Sequence, residues 1–207
     1  WLVLLATLVA LPLGLAIAVY LTQSQSKLRN MVRAITQALA GLPSVVSGLF
    51  VLSIISFLGA QKSGIFGALA LFPLMLPTVA RVAEESLRLV PQELRNGALA
   101  LGAPAYRAFL QVTLPAAKSG LITAMILGVA RVAGETAPVV LLTGGGDGTQ
   151  WNIFKGPMGT LPTYIWKAYA AGTDSSVTRA WAAILVLLVI VLVLFGLARF
   201  LGGRKVK

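Results

Sequence analysis

Long uncharged apolar runs alternate along this chain with short polar stretches, and that pattern dictates the elements. A helix needs about 20 apolar residues to cross the hydrocarbon of a bilayer. Five runs approach or meet that length: 1–21, 38–60, 63–82, 119–142 and 180–199. The first carries no charge. The second lies within the uncharged stretch Ala34–Gln61, and Gly41-Leu42-Pro43 predicts a kink where it begins. Gly59-Ala60-Gln61-Lys62 makes a turn into the third. The fourth is interrupted only by Arg131 and Glu135, and the last is nearly pure Leu, Val and Ile. One such run would suit a buried helix of a soluble protein, but five leave no solvated face. The expected architecture is an all-α polytopic membrane helix bundle, one transmembrane domain over 1–207, with connecting loops 84–118 and 143–179 on opposite sides.

Composition agrees with this. The chain is 57% hydrophobic and 11% charged, with a mean hydropathy of +0.88; soluble domains carry roughly 45–50% apolar and about 25% charged residues. It contains no Cys and no His, which removes disulfides, thiolate or imidazole metal sites, Cys or Ser–His nucleophile chemistry and His proton relays. The net charge of +11 is not a nucleic-acid signature, because no polar segment carries a basic stripe with interleaved aromatics. Its distribution gives an orientation instead. Twelve of the 17 basic residues fall on one side of the predicted bundle: 27, 29, 33, 81, 88, 95, 107, 118, 199, 204, 205 and 207. The other side holds Lys62, Lys155, Lys167 and Arg179, and residue 131 lies within a span. The positive-inside rule puts the twelve in the cytoplasm, Trp1 outside and Lys207 inside. The chain opens inside an apolar run with neither Met nor a basic leader, so a core with further sequence upstream is expected.

Loop 143–179 opens with Gly144-Gly145-Gly146-Asp147-Gly148 and carries Trp151, Phe154, Tyr164, Trp166 and Tyr169, with Trp181 just beyond. Aromatics at this density near span ends anchor a chain at the lipid–water boundary; docking of a solute-binding partner is the functional alternative, and the two are compatible. A short interfacial helix is expected over 161–171. The Gly cluster lacks the GxxxxGK[S/T] frame of a phosphate-cradling P-loop, and no such frame occurs elsewhere. Any ATP site therefore belongs to another polypeptide.

Loop 84–118 is the most informative stretch. Small and apolar residues recur at helical spacing from Gln92 to Leu101, Gly102 ends that helix, and Ala103-Pro104 starts another, since Pro is tolerated in a first turn. A short helix–Gly–helix makes a knob that a partner groove can grip. Asn96-Gly97-Ala98, Gly102, Ala103, Val112 and Leu114-Pro115 together resemble the EAA loop of ATP-binding-cassette importer permeases: Glu-Ala-Ala, three residues, Gly, nine residues, Ile, one residue, Leu-Pro. The spacing, the Gly and the Leu-Pro match; Asn96-Gly97 replaces the acidic start. The resemblance implies that this loop docks in a cleft of a nucleotide-binding subunit and passes its closure on ATP binding to the spans.

Arg131 and Glu135 fall near the middle of the fourth run, four residues apart and hence on one helical face. A charge at mid-bilayer costs about 2.5–3.5 kcal/mol on insertion scales, which an ion pair facing the bundle interior lowers. The guanidinium presents a planar fork suited to an oxyanion, phosphate included. Glu135 either holds Arg131 when substrate is absent or accepts a hydrogen bond from a protonated oxyanion. The bland alternative is an inert pair that fixes packing. Arg131-Val-Ala-Gly-Glu135-Thr136-Ala-Pro-Val resembles the Arg-Ala-x-Gly-Glu-Thr-Ala-Pro segment of the phosphate transport system permease family. Gly41-Leu42-Pro43-Ser44-Val45-Val46-Ser47-Gly48 is similar to its Gly-Val-Pro-Ser-Ile-Val segment. Arg81-Val-Ala-Glu84-Glu85-Ser-Leu-Arg88-Leu-Val-Pro91 is similar to its approach to the coupling loop. The resemblance covers essentially the whole chain and is nearest the A-type of that system's two permeases.

That resemblance implies a type I importer permease core with five spans in this chain, not an enzyme, in the plasma membrane of a prokaryote. It implies a substrate path including Arg131, Glu135 and Thr136; Ser44 and Ser47 either line that path or serve packing. It implies as partners a second permease, a dimer of ATP-binding subunits that holds ATP and Mg, and an extracytoplasmic phosphate-binding protein, with no cofactor on this chain. Molybdate and sulfate permeases share Arg-x-x-Gly-Glu but continue with Phe-Gly where this chain has Thr136-Ala137. A passive anion channel and a membrane-embedded enzyme are the readings from other classes. The channel needs no coupling loop, and the enzyme lacks paired catalytic carboxylates beyond 131–135.

Overall fold

The computed structural model describes residues 1–146, 148 and 150–202. Asp147 and the basic residues Arg204, Lys205 and Lys207 lie outside the described residues. Every named element is helical. Three helices are long and apolar enough to cross a membrane: α1 (Leu2–Gln23), α4 (Gly64–Arg88) and α11 (Asp174–Gly202). Two bent pairs bring the total to as many as five if each counts as one span. One is α2 (Leu28–Ala40) with α3 (Ser44–Leu58), bent by 99°. In the other, a helical segment over 105–116 meets α8 (Lys118–Ala133) at 66°.

α4 is the centre of the bundle. Over half (56%) of its most apolar window is buried, against 11% for α11, whose Leu185, Val189, Leu192 and Phe195 face outward. The reason α4 can be central lies in its neighbours. α1 buries Ala6, Ala10, Gly14 and Ala18, small residues at every fourth position, so its backbone comes close to α4. Val79 of α4 is fully buried between two glycines: a Cβ at Gly14 of α1 would meet Val79 Cγ1 at 2.8 Å, and one at Gly128 of α8 would meet Val79 Cγ2 at 2.5 Å. Both approaches are closer than real Cβ contacts allow, so only glycine fits either socket.

Two predicted runs are not straight helices. The second bends at Gly41-Leu42-Pro43: Pro43 stands at the N-cap of α3 in an extended conformation and has no N–H to continue the ladder from α2. The fourth, expected as one continuous helix over 119–142, stops at Ala133 and resumes as α9 (Ala137–Thr143). Pro138 is the cause: it lacks an N–H and its ring would strike the carbonyl of Gly134 in a continuous helix. Arg131 consequently sits in the last turn of α8, beside a break, rather than inside an unbroken span.

The connection after α9 doubles back on the bundle. Gly144 and Gly145 adopt positive φ, the Met158 N–H donates to the Thr143 carbonyl, and the Ile65 N–H donates to the Ile153 carbonyl. Lys167 donates to the Gly145 carbonyl, and Trp151 packs edge-on against Trp1, ring centroids 6.2 Å apart. α10 (Leu161–Ala170) starts at a capping box, in which Thr160 and Thr163 satisfy each other's backbone N–H groups.

Candidate functional site: a helix break and a knob at opposite ends of one helix

α8 is 16 residues long, so its ends stand ~24 Å apart at 1.5 Å per residue. Each end carries one of the segments singled out in the sequence.

At its C-terminal end, Arg131 and Glu135 form an ion pair across the break. The Glu135 carboxylate is nearly buried, 10% exposed, while the Arg131 side chain is 48% exposed. A cation suits this position, because the last carbonyls of a helix are unpaired and carry partial negative charge. The Glu135 N–H returns to the Val132 carbonyl, and the Thr136 hydroxyl to that of Gly134. Arg131 opens onto a cavity of about 350 Å³ formed by the α2–α3 turn, α4 and α8, with Leu42, Pro77, Thr78 and Arg81 among its walls. Glu135 opens instead onto a smaller, mainly apolar cavity against α1, α10 and α11. The two paired residues thus border different cavities, Arg131 one and Glu135 the other.

The segment around Gly41–Gly48 meets this site from α3. A Cβ at Gly48 would approach Pro138 Cα to 2.8 Å, so α3 and α9 touch at backbone distance. Ser44 opens α3 and is half-buried. Ser47 is buried, and its hydroxyl donates to the Ala70 carbonyl at 2.7 Å; it ties α3 to α4. Sequence reasoning counted Arg81 as a basic residue of the inner side and as the start of the segment leading to the coupling loop, and missed its place on the cavity. The signal was present: Leu74, Pro77, Thr78 and Arg81 recur at one helical face of α4. One turn further, the Glu84 carboxylate accepts from Arg33 of α2 and from Arg88, both at 2.7 Å.

At the N-terminal end of α8 stands the knob. α5 (Gln92–Ala100) buries none of its residues. Gly102 follows at φ +84°, a conformation other residues rarely adopt, and completes a Schellman turn. Its own N–H bonds to the Leu99 carbonyl at 2.9 Å, and the Ala103 N–H to that of Ala98 at 3.1 Å. Pro104 then caps α6 (Ala105–Ala108). Phe109–Thr113 winds as a π-helix before α7 (Leu114–Ala116), and the Leu114 N–H reaches the Phe109 carbonyl. The wide turn sits immediately before Pro115, whose ring would crowd the carbonyls of a regular helix. Phe109, which sequence reasoning passed over, is the anchor: it is buried with Leu87, Ala117 and Ala124 and packs near Leu114. Asn96, Gly97, Gly102 and Pro115 are exposed, Ala98, Ala103 and Val112 half-buried, and Leu101 is 91% exposed. A Cβ at Gly97 or Gly102 would meet nothing.

A helical bundle with such a knob before its penultimate span defines a class, and sequence comparison gives the same one. The chain belongs to the family of binding-protein-dependent transport system inner membrane components, whose profile matches residues 10–207. Within it, the chain falls among phosphate transport system permeases. It is 42% identical over 207 residues to the phosphate transport system permease protein PstA of Mycobacterium leprae (97% of this chain, 67% of the relative). It is 40% identical to PstA 1 of Mycobacterium tuberculosis strain CDC 1551 / Oshkosh, at the same coverage, and 36% identical to PstA of Yersinia pestis (99% and 70%). Solved structures share the fold at low identity. One chain of an amino acid ABC transporter superposes with a TM-score of 0.73 at 16% identity, covering 98% of this chain and 88% of that one. One chain of the inward-facing MetNI methionine ABC transporter gives 0.69 at 19%, covering 98% and 87%. The protein is accordingly an inner-membrane transport component with a type I importer fold.

Proposed function

We propose that this chain is the permease subunit of an ATP-driven importer of inorganic phosphate. It forms the translocation pathway with a second permease, receives phosphate from an extracytoplasmic binding protein and is driven by a separate ATPase dimer that holds ATP and Mg. The observation that carries the cargo assignment is the Arg131–Glu135 pair at the break after α8, with Arg131 on the wall of a cavity, in a chain 40–42% identical to proteins named as phosphate permeases. A guanidinium offers two parallel N–H donors to two oxygens of an oxyanion. Arg131 attracts the anion, and Glu135 holds the guanidinium between turnovers. Thr136 adds a hydroxyl at the break. The knob at Gly102 supports the drive assignment: it presents Leu101 and the bare face of α5 outward, as a docking element does. ATP-driven closure of the partner, felt at the knob, moves α8 and thereby the break. The side with the basic loops is cytoplasmic, in a prokaryotic plasma membrane.

The test is uptake into vesicles containing the assembled transporter, with labelled phosphate competed by molybdate and by sulfate. Phosphate is expected to compete and the other two to fail at equal concentration. Uptake blocked better by molybdate or sulfate removes phosphate as the cargo, and uptake that persists without ATP removes the pump.

A further inference from the structure

The cavity that Arg131 faces has an electrostatic imbalance that Arg131 alone does not explain. Two guanidiniums line it, Arg131 from α8 and Arg81 from α4, and no carboxylate does. Of the carboxylates nearest in sequence, Glu135 holds Arg131, Glu84 is occupied by Arg33 and Arg88, and Glu85 borders the neighbouring cavity with Arg81 without an ion pair to it. Among the described residues Arg81 has no ion pair, although it is exposed on a helix that is otherwise the most buried of the bundle. An accessible guanidinium on a cavity wall with no carboxylate bonded to it is free to bind an anion that enters. The polar side of α4 continues from there: Thr78, Arg81, Glu84 and Arg88 follow one another at three- and four-residue steps. Arg81 itself borders a second cavity, of about 200 Å³, whose walls include Arg33, Glu85 and Arg88. The first cavity, about 350 Å³, falls within the usual range of small-ligand sites, roughly 300–1,000 Å³.

We infer that Arg81 is a second oxyanion station, sharing the anion with Arg131 inside the cavity and passing it on toward the α4 end that carries Glu84 and Arg88. This rests on the reading of the chain as an oxyanion permease and names the residue that reading lacks. A doubly charged anion such as hydrogen phosphate presents enough oxygens for two guanidiniums, each donating to a different pair once Arg131 turns from Glu135 to the anion. Glu84, by holding Arg33 and Arg88, keeps those two cations from trapping the anion at the next step.

The chain has no cysteine, so Thr78→Cys places a single thiol of this chain on the cavity wall. In the assembled transporter in membrane vesicles, the rate at which a neutral maleimide labels this chain is measured against inorganic phosphate and against sulfate. Phosphate is expected to slow labelling, and adding Arg81→Gln is expected to raise the phosphate needed for half-protection about tenfold, as for one lost charge-assisted hydrogen bond. Arg81→Lys is expected to shift it less. Protection unchanged by Arg81→Gln overturns the station, as does the absence of protection by either anion with Arg81 intact. Protection by sulfate rather than phosphate, lost with Arg81→Gln, upholds the station and removes phosphate as the cargo.

Discussion

The break at Gly134-Glu135-Thr136 and the turn at Gly102 both interrupt a helix, and the chain treats them in opposite ways. At the break, Glu135 is nearly buried and finds its partner within the same chain, Arg131, four residues away. At the turn, the helix that precedes it buries nothing, and Leu101 stands almost wholly exposed. The first is self-sufficient because a lone buried charge is not tolerated. The second is left open, and an open apolar knob on a rigid anchor suits a surface meant to be covered by another chain. The comparison teaches that a buried charge is settled inside the fold, whereas an exposed apolar turn leaves its contacts open at the edge.

The largest effect expected is from Arg131→Gln. It removes the guanidinium from the cavity and leaves Glu135 near-buried without its partner, so phosphate uptake falls to background while the complex still assembles. Near-normal uptake in a well-expressed variant would reduce the pair to a packing device and erase the contrast. Next comes Gly102. A β-branched residue is strained at φ +84°, so Gly102→Val costs about 1–2 kcal/mol at the turn. It is expected to cut transport-coupled ATP hydrolysis severely, whereas Gly102→Asn, which tolerates the left-handed region, is milder. Equal effects of the two would mean that the turn geometry is not what the partner reads. The smallest effect is expected from Leu101→Ser. Thermal unfolding of the isolated chain in detergent should be unmoved, because the side chain touches so little of its own fold, while co-purification of the ATPase weakens. A lowered unfolding temperature with intact co-purification would place Leu101 in the fold rather than on a docking face.

Much of this was legible in the sequence. Long uncharged runs identify the helices, because in a bilayer the backbone must satisfy its own hydrogen bonds. Gly102 with Pro104 after it marks the end of one short helix and the start of the next, since few residues other than glycine accept the required φ. What hydropathy hides is where a span breaks, for it sums side chains over a window and does not see the backbone. Pro138 was in plain view, yet its consequence, a helix that stops two residues after Arg131, depends on which carbonyl its ring meets. The π-helix over Phe109–Thr113 leaves no compositional trace beyond Pro115. The hydroxyl of Ser47 was ambiguous between path and packing, and hydropathy could not reveal that it donates to the Ala70 carbonyl. Arg81 was misleading for a different reason: a charge near the end of a span satisfies the inside rule whichever way it points.

Val79, gripped from both sides by Gly14 and Gly128, has a mechanical meaning. A side chain seated in two sockets at once acts as a pin through three helices. For α4 to slide or roll against α1 or α8, it would have to leave at least one socket, and close-packed interiors shift between discrete arrangements rather than shear smoothly. Val79 therefore ties α1, α4 and α8 together at one level of the bundle. Outside that pin the chain has cut its own ladder at the corner at Gly41-Leu42-Pro43 and at the gap at Gly134-Glu135-Thr136, among other bends. Those two joints lie against each other through Gly48 and Pro138, so a bend at one presses on the other.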